Sequence, residues 1–186
     1  MLTILDPATA LVVVDLQKGL IGYPFIHPIR PVVQRAAALI AAFRARSLPV
    51  VLVNVTGSAP GRTEQPARVE SFPEGFADFL PELGQRPEDI VVTKRTWGAF
   101  TGTGLHERLK ALGVTQVVVV GVATGTGVDA TARQAYELGY NVTLAIDAMT
   151  DSRQQAHDYS IETVFPRLGE IGTSQAIIDL LLARAC

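Results

Sequence analysis

Apolar runs of strand length alternate along this chain with longer segments whose apolar positions recur at helical spacing. This alternation constrains the fold more than any other feature. The runs "ALVVVD" (10–15), "PVVLVNV" (49–55), "DIVVTK" (89–94), "QVVVVGV" (116–122) and "NVTLAID" (141–147) predict five strands, and a short sixth is expected near Leu168–Ile171. Helices are expected over Pro31–Arg46, Phe76–Leu80, Thr103–Leu112, Val128–Leu138, Gln154–Phe165 and Ser174–Ala183. Strands buried on both faces read as continuous Val/Ile/Leu runs, and helices between successive strands imply parallel pairing. The expected class is α/β: a three-layer α/β/α sandwich around an open, six-stranded, mainly parallel sheet.

Composition narrows the partners. With 186 residues, 48% of them hydrophobic, the chain is long enough for one domain with a sizeable core, so residues 1–186 are expected to form a single domain. Sixteen basic side chains against 18 acidic ones, with no basic block, make nucleic acid and anionic membrane poor partners. A small-molecule substrate fits better. The apolar runs fall short of the roughly 18 residues that a membrane span needs, and the N-terminus lacks a secretory pattern. Together with a lone cysteine, Cys186, this leads to the expectation of a cytoplasmic protein. The polar stretch Thr56–Pro73 reads as a loop or lid within the domain.

In open parallel sheets ligands bind beyond the carboxyl ends of the strands, near the point where strand order reverses. The residues just after the strands are Asp15, Asn54, Lys94, the turn Val122–Gly127, and Asp147. Asp15 ends an apolar strand, so partial desolvation would raise its pKa and a nearby lysine would lower it again. It reads either as a general acid or base or as a cap of the segment that follows. Lys94 ends "DIVVTK" and precedes Trp97 and Phe100. It can orient Asp15 or bind a substrate carboxylate, or it is a surface lysine beside Arg95.

The turn "VATGTG" leads into a helix whose first N–H groups lack internal partners and attract anions, and its glycines permit close backbone approach. A tight turn chosen only for packing is the alternative. Neither a P-loop nor a dinucleotide fingerprint is present. His27, His106 and His157 each stand alone in the sequence, so no metal site and no cofactor are expected. Asp147 is expected to cap the "AMTD" turn, and Tyr23 and Phe25 either wall a pocket or pack in the first loop after a strand.

Taken together, "VVVDLQKG", "VVTKRTWGAF" and "GVATGTGVDATARQAYELGYNV", in that order, resemble the isochorismatase-like, or cysteine hydrolase, superfamily. The match continues to "AHDYSIETVFPRLGEIGT" near the end. The resemblance implies a six-stranded parallel sheet and a homodimer or homotetramer. It also implies a catalytic set of Asp15 and Lys94, with Gly127 standing where most members carry the nucleophilic cysteine. The substrate would be bound by Gln17, Tyr23, Phe25, Trp97, Phe100, Val122, Ala123, Thr124 and Thr126.

Without a thiolate, covalent amide hydrolysis has no evident attacking group, since Thr124 and Thr126 are weak nucleophiles with no histidine nearby in sequence. The metal-binding histidines of nicotinamidases have no counterpart in Gly57–Gln65. True isochorismatases also carry glycine in place of the cysteine and hydrolyse a vinyl ether by acid catalysis. That reading makes Asp15 the general acid and Lys94 its positioning partner. The alternatives are a catalytically silent ligand-binding or scaffold protein, and an amidase whose cysteine has been replaced at Gly127.

Overall fold

The computed structural model describes residues 2–65 and 72–183. The six strands are β1 (Thr9–Val14), β2 (Val50–Val55), β3 (Ile90–Lys94), β4 (Gln116–Val122), β5 (Asn141–Thr150) and β6 (Glu170–Gly172). They form one sheet in the order β3-β2-β1-β4-β5-β6, and every neighbouring pair is parallel. Strand order therefore reverses between β1 and β4, which lie side by side. This is the crevice where such sheets take ligands, and it brings the carboxyl end of β1, with Asp15, next to the turn that follows β4.

Helices α1 (Ile29–Ala45) and α6 (Ser174–Ala183) cover one face. Val32, Ala36, Leu39, Phe43, Ile177 and Leu181 pack there on Leu11, Val13, Leu52, Val118 and Val120. Helices α2 (Leu105–Ala111), α3 (Asp129–Glu137) and α5 (Phe165–Leu168) cover the other. Leu105, Leu109, Ala132, Ala135 and Phe165 meet Val12, Val14, Val51, Val53, Val117 and Val119. The alternation of odd and even strand residues between the two cores is the two-residue period of a pleated strand. Both faces of β1 and β4 are buried. At about 1.5–3 kcal/mol for each fully buried large apolar side chain, the central strands anchor everything beyond their ends.

Several expected boundaries move. Residues 76–80, expected as a helix, hold the end of a turn and an isolated antiparallel bridge from Phe79 to Gln17, and the nearby helical geometry is a single 3-10 turn at Pro81–Leu83. Strand β5 runs three residues past Asp147, because Ala148, Met149 and Thr150 are buried and Met149 pairs with Gly121 across an irregularity in the register. The side chain of Asp147 does not cap its own turn. It accepts from Ser174 N at 2.6 Å and Ser174 Oγ at 2.7 Å and so begins α6.

The helix expected over Gln154–Phe165 is α4 (Gln154–Tyr159), a π-helical segment Ser160–Val164 and then α5. A second π-helical turn, Thr124–Val128, precedes α3, so that helix begins one residue later than expected. Of the expected loop Thr56–Pro73, residues 66–71 lie outside the described residues, as does Cys186. Among the described residues, no helix is long and apolar enough to cross a membrane.

Candidate active site

Asp15 is the first residue after β1, and its backbone leaves the strand in the left-handed region, with φ at 55°. That region is unfavourable for most side chains, by about 1 kcal/mol or more, and aspartate is among those that tolerate it best. Its N–H stays bonded to Val53 O at 2.9 Å, so the reversal is fixed from the sheet side. Lys94, the last residue of β3, reaches across β2. Its Nζ donates to Asp15 Oδ2 at 2.7 Å and to Thr96 O at 3.2 Å. Both residues are buried, at 5% exposure for Asp15 and 2% for Lys94. Asp15 Oδ1 is buried and, among the described residues, has no hydrogen-bond partner.

Burial penalises the charged carboxylate and pushes the Asp15 pKa up to about 6; the charge and the hydrogen bond of Lys94 pull it down less strongly. Desolvation wins. The result is a carboxyl group that exchanges its proton close to neutral pH, held by an ammonium on one oxygen only.

Beside it runs the turn. Gly121 has φ at 116°, and a Cβ there would lie 2.0 Å from Val14 O, so only glycine permits β4 to approach β1 so closely. The Val122–Ala123 peptide is cis. Ala123 O then accepts from Thr126 N and Val128 N, both at 3.1 Å, which winds the π-helical turn. At Gly127 a Cβ would meet Val122 O at 3.0 Å, Asp15 Oδ2 at 3.1 Å and Val14 Cγ1 at 3.1 Å. Gly127 is thus the turn residue that abuts the Asp15 carboxylate.

The expected anion site at the start of this turn is already engaged. Asp151, buried just beyond β5, accepts from Gly125 N at 2.7 Å and from Arg153 N at 3.0 Å, while its carbonyl accepts from Ile26 N at 2.8 Å. A protein carboxylate therefore takes the place that a ligand anion was expected to fill at Gly125.

The other expected contacts divide. Trp97 and Thr126 line a cavity of about 340 Å³ together with Gly125, Asp129, Arg133 and Tyr159. Val122 and Ala123 shape the turn through their carbonyls. Gln17, expected to touch substrate, is fully buried and spends its amide on the fold: Nε2 donates to Val55 O and Phe76 O, each at 3.1 Å, and Oε1 accepts from Val55 N at 2.7 Å. Phe100 is likewise a core residue, stacked on Tyr140 with ring centroids 5.9 Å apart. Thr124 is fully buried, with its hydroxyl 2.9 Å from His157 Nδ1. Phe25 packs against the core on the α1 side, Tyr23 is half-buried in the same loop, and neither lines the cavity.

The histidines do not all stand alone. The rings of His27 and His157 lie edge to face, with centroids 5.0 Å apart, and His27 Nδ1 is 3.1 Å from Thr150 Oγ1. Burial, then the neighbouring His27, hold the His157 pKa below its ordinary value against the opposing pull of Asp158 and Asp151. Sequence distance hid this pair, because 130 residues separate two side chains that the ends of β1 and β5 bring together. Among the described residues, no three His, Cys, Asp or Glu side chains converge as a metal site.

Asp151 and the cavity residues Asp129, Arg133, Tyr159 and Ser160 escaped the sequence reading. Asp151 carried a usable signal, an acidic residue three positions before a helical segment. Arg133 carried another, four residues after Asp129 on one helix face.

Residues 9–176 match the isochorismatase domain. The chain belongs to the isochorismatase family. Its members are hydrolases, and this chain is an isochorismatase-family hydrolase. It is 38% identical to the isochorismatase family protein YecD of Escherichia coli O157:H7, over 97% of this chain and all of that protein. The structure of an isochorismatase family protein from Burkholderia thailandensis superposes with a TM-score of 0.93 at 37% identity, covering 97% of this chain and 98% of that one. Nicotinamidase 3 of Arabidopsis thaliana is 28% identical over 82% of this chain and 78% of its own length. The isochorismatase fold accounts for the six parallel strands and for the crevice between β1 and β4.

Proposed function

We propose that this isochorismatase-family hydrolase cleaves a vinyl ether in a small carboxylate-bearing molecule, isochorismate or a close analogue, by acid catalysis without a covalent intermediate. The observation that carries the reading is the Asp15 carboxyl group: buried, with a pKa raised to about 6, bonded to Lys94 through Oδ2 and unpartnered at Oδ1. A proton donor working near neutrality needs this raised value.

In the first step the proton on Asp15 passes to the terminal carbon of the enol ether, whose π electrons form the new C–H bond and leave an oxocarbenium ion. Asp15 is now a carboxylate, stabilised by the Lys94 ammonium. Water adds to the cationic carbon and returns a proton to Asp15. The hemiketal collapses to a ketone and an alcohol, which for isochorismate means release of pyruvate. One water is consumed and the acid is regenerated. Gly127 stands beside the acid, on this reading where most family members carry the nucleophilic cysteine, and the chain's single cysteine is Cys186.

Similarity to Nicotinamidase 3 favours a second reading, in which an amidase has lost its thiol at Gly127. Pyruvate release from isochorismate by wild-type protein, lost in Asp15→Asn, supports the vinyl ether reaction. Absence of turnover of vinyl ethers by pure protein overturns it.

A further inference from the structure

The cavity beside the turn has walls that the acid chemistry does not use. Trp97 is 67% exposed and Tyr159 61% exposed, although each lines the same space of about 340 Å³. Large aromatic faces left open to water forgo most of the free energy of burial, and here two of them border one cavity, where a flat ligand can cover them. The volume lies in the range of small-molecule pockets.

The polar groups of the same wall select the ligand. Asp129 is committed: Oδ1 accepts from Arg133 Nε and Oδ2 from Ser160 Oγ at 2.8 Å. That ion pair also orients the guanidinium along α3. Among the described residues, the terminal nitrogens of Arg133, the indole N–H of Trp97 and the hydroxyls of Thr126 and Tyr159 have no side-chain hydrogen bond. A pocket whose carboxylate is spent and whose donors are open suits an acceptor-rich ligand. The planar end of a guanidinium matches a carboxylate through two parallel hydrogen bonds, and indole and phenol faces take a flat ring.

We infer that this cavity binds planar carboxylates, with Arg133 as the anchor of the carboxylate and Trp97 and Tyr159 as stacking walls. Identification of that ligand as the substrate rests on the proposed function. Trp97 follows Lys94 by three residues, and Gly125 and Thr126 belong to the turn that abuts Asp15, so the cavity and the acid share two segments of chain. Asp129 and Glu137 lie close enough to Arg133 to offset its charge at a distance. Selection at this site therefore comes from directed hydrogen bonds rather than from a long-range field.

Trp97 is the chain's single tryptophan, so emission excited beyond the tyrosine absorption band reports on this cavity. Benzoate serves as the probe, with benzamide as its uncharged counterpart. The expected result is a saturable change in emission with benzoate, and binding of benzamide about tenfold or more weaker, the loss of one charge-assisted contact. Arg133→Gln should weaken benzoate by a similar factor with only a modest fall in the thermal midpoint, since the exposed arginine side of the pair is lost while Gln can still donate to the largely buried Asp129. Asp15→Asn should retain benzoate binding, which separates this test from that of the acid chemistry. Equal binding of benzoate and benzamide, or no change in emission up to the solubility limit, overturns the inference. Emission that responds to protein dilution but not to benzoate, with a matching change in sedimentation, also overturns it and identifies the cavity as a surface between copies of the chain.

Discussion

The Lys94 ammonium donates to Oδ2 of Asp15 over 2.7 Å, and among the described residues the other oxygen of that carboxylate meets no donor. Asp15 follows β1 directly and Lys94 ends β3, strands separated by β2, so the sheet's own width sets their distance. The asymmetry has a chemical consequence. A carboxylate held on both oxygens would stay ionised, whereas one held on a single oxygen and buried keeps a proton site whose occupancy changes near pH 6.

The pH dependence of turnover follows. If protonated Asp15 is the donor, kcat/KM on a vinyl ether should be flat at low pH and fall above about 6, tenfold per unit, as the acid is titrated. A profile that rises through the same range would assign Asp15 the role of base.

Replacing Lys94 by Met should move that descending limb to higher pH. Both contributions of Lys94 to Asp15, its charge and its hydrogen bond, lower the carboxyl pKa, so removing them leaves desolvation unopposed. The limb should shift upward while kcat falls, because the carboxylate left after proton transfer loses its counter-charge. An unchanged limb in Lys94→Met would show that the titrating group is not Asp15.

Stability should carry the opposite signature from that of an ordinary surface carboxylate. The folded pKa of Asp15, about 6, lies above its unfolded value of 3.8, so the native state binds the proton more tightly. The stabilisation is fully present below about pH 4 and is lost as pH rises through 6, on the order of 3 kcal/mol for a shift of about two units. Urea unfolding at several pH values checks this against the double variant Asp15→Asn/Lys94→Met, in which that part of the decline should vanish. Asp15→Asn alone should be less stable than the double variant, since it strands a buried ammonium.

Asp151 is predicted to hold the turn. Asp151→Ala removes the acceptor of Gly125 N and Arg153 N, each an otherwise unsatisfied donor at the start of a helical segment. The cost should be about 1–2 kcal/mol, seen as a fall of roughly 2–8 °C in Tm for a chain of this size. Asp151→Asn, which keeps one acceptor oxygen, should fall in between.

The sheet was legible because its signal is local. Val-rich runs between helical segments announce buried parallel strands, and the ends of β1 and β3 pointed directly to Asp15 and Lys94. The family's own motifs supplied the turn. What stayed hidden depends on contacts between distant segments. Gln17 is expected as a substrate contact, yet its amide ties the end of β2 to residue 76. Asp147 reads as a turn residue, yet it begins α6, 27 positions away. His27 and His157 meet only because β1 and β5 end on the same side of the sheet. Periodicity cannot show such pairings, since hydrogen-bond partners across a fold leave no spacing in the chain.

Gly127 offers the sharpest division between the two hydrolytic readings. A Cβ at this position would lie 3.1 Å from Asp15 Oδ2 and 3.0 Å from Val122 O, so any side chain must displace the carboxylate or the turn by a few tenths of an ångström. Two opposing terms set the stability of Gly127→Ala: helix propensity gains up to about 1 kcal/mol over glycine, and crowding costs about 1–3 kcal/mol. The net change should therefore be small or destabilising. The catalytic effect should be larger, because a carboxylate moved away from Lys94 loses its alignment, and vinyl ether turnover should drop tenfold or more. Gly127→Cys should lose the same turnover and acquire no hydrolysis of amides. Amide hydrolysis in that variant, with the thiol beside Asp15 and Lys94, would instead show that the pair is built to activate a nucleophile.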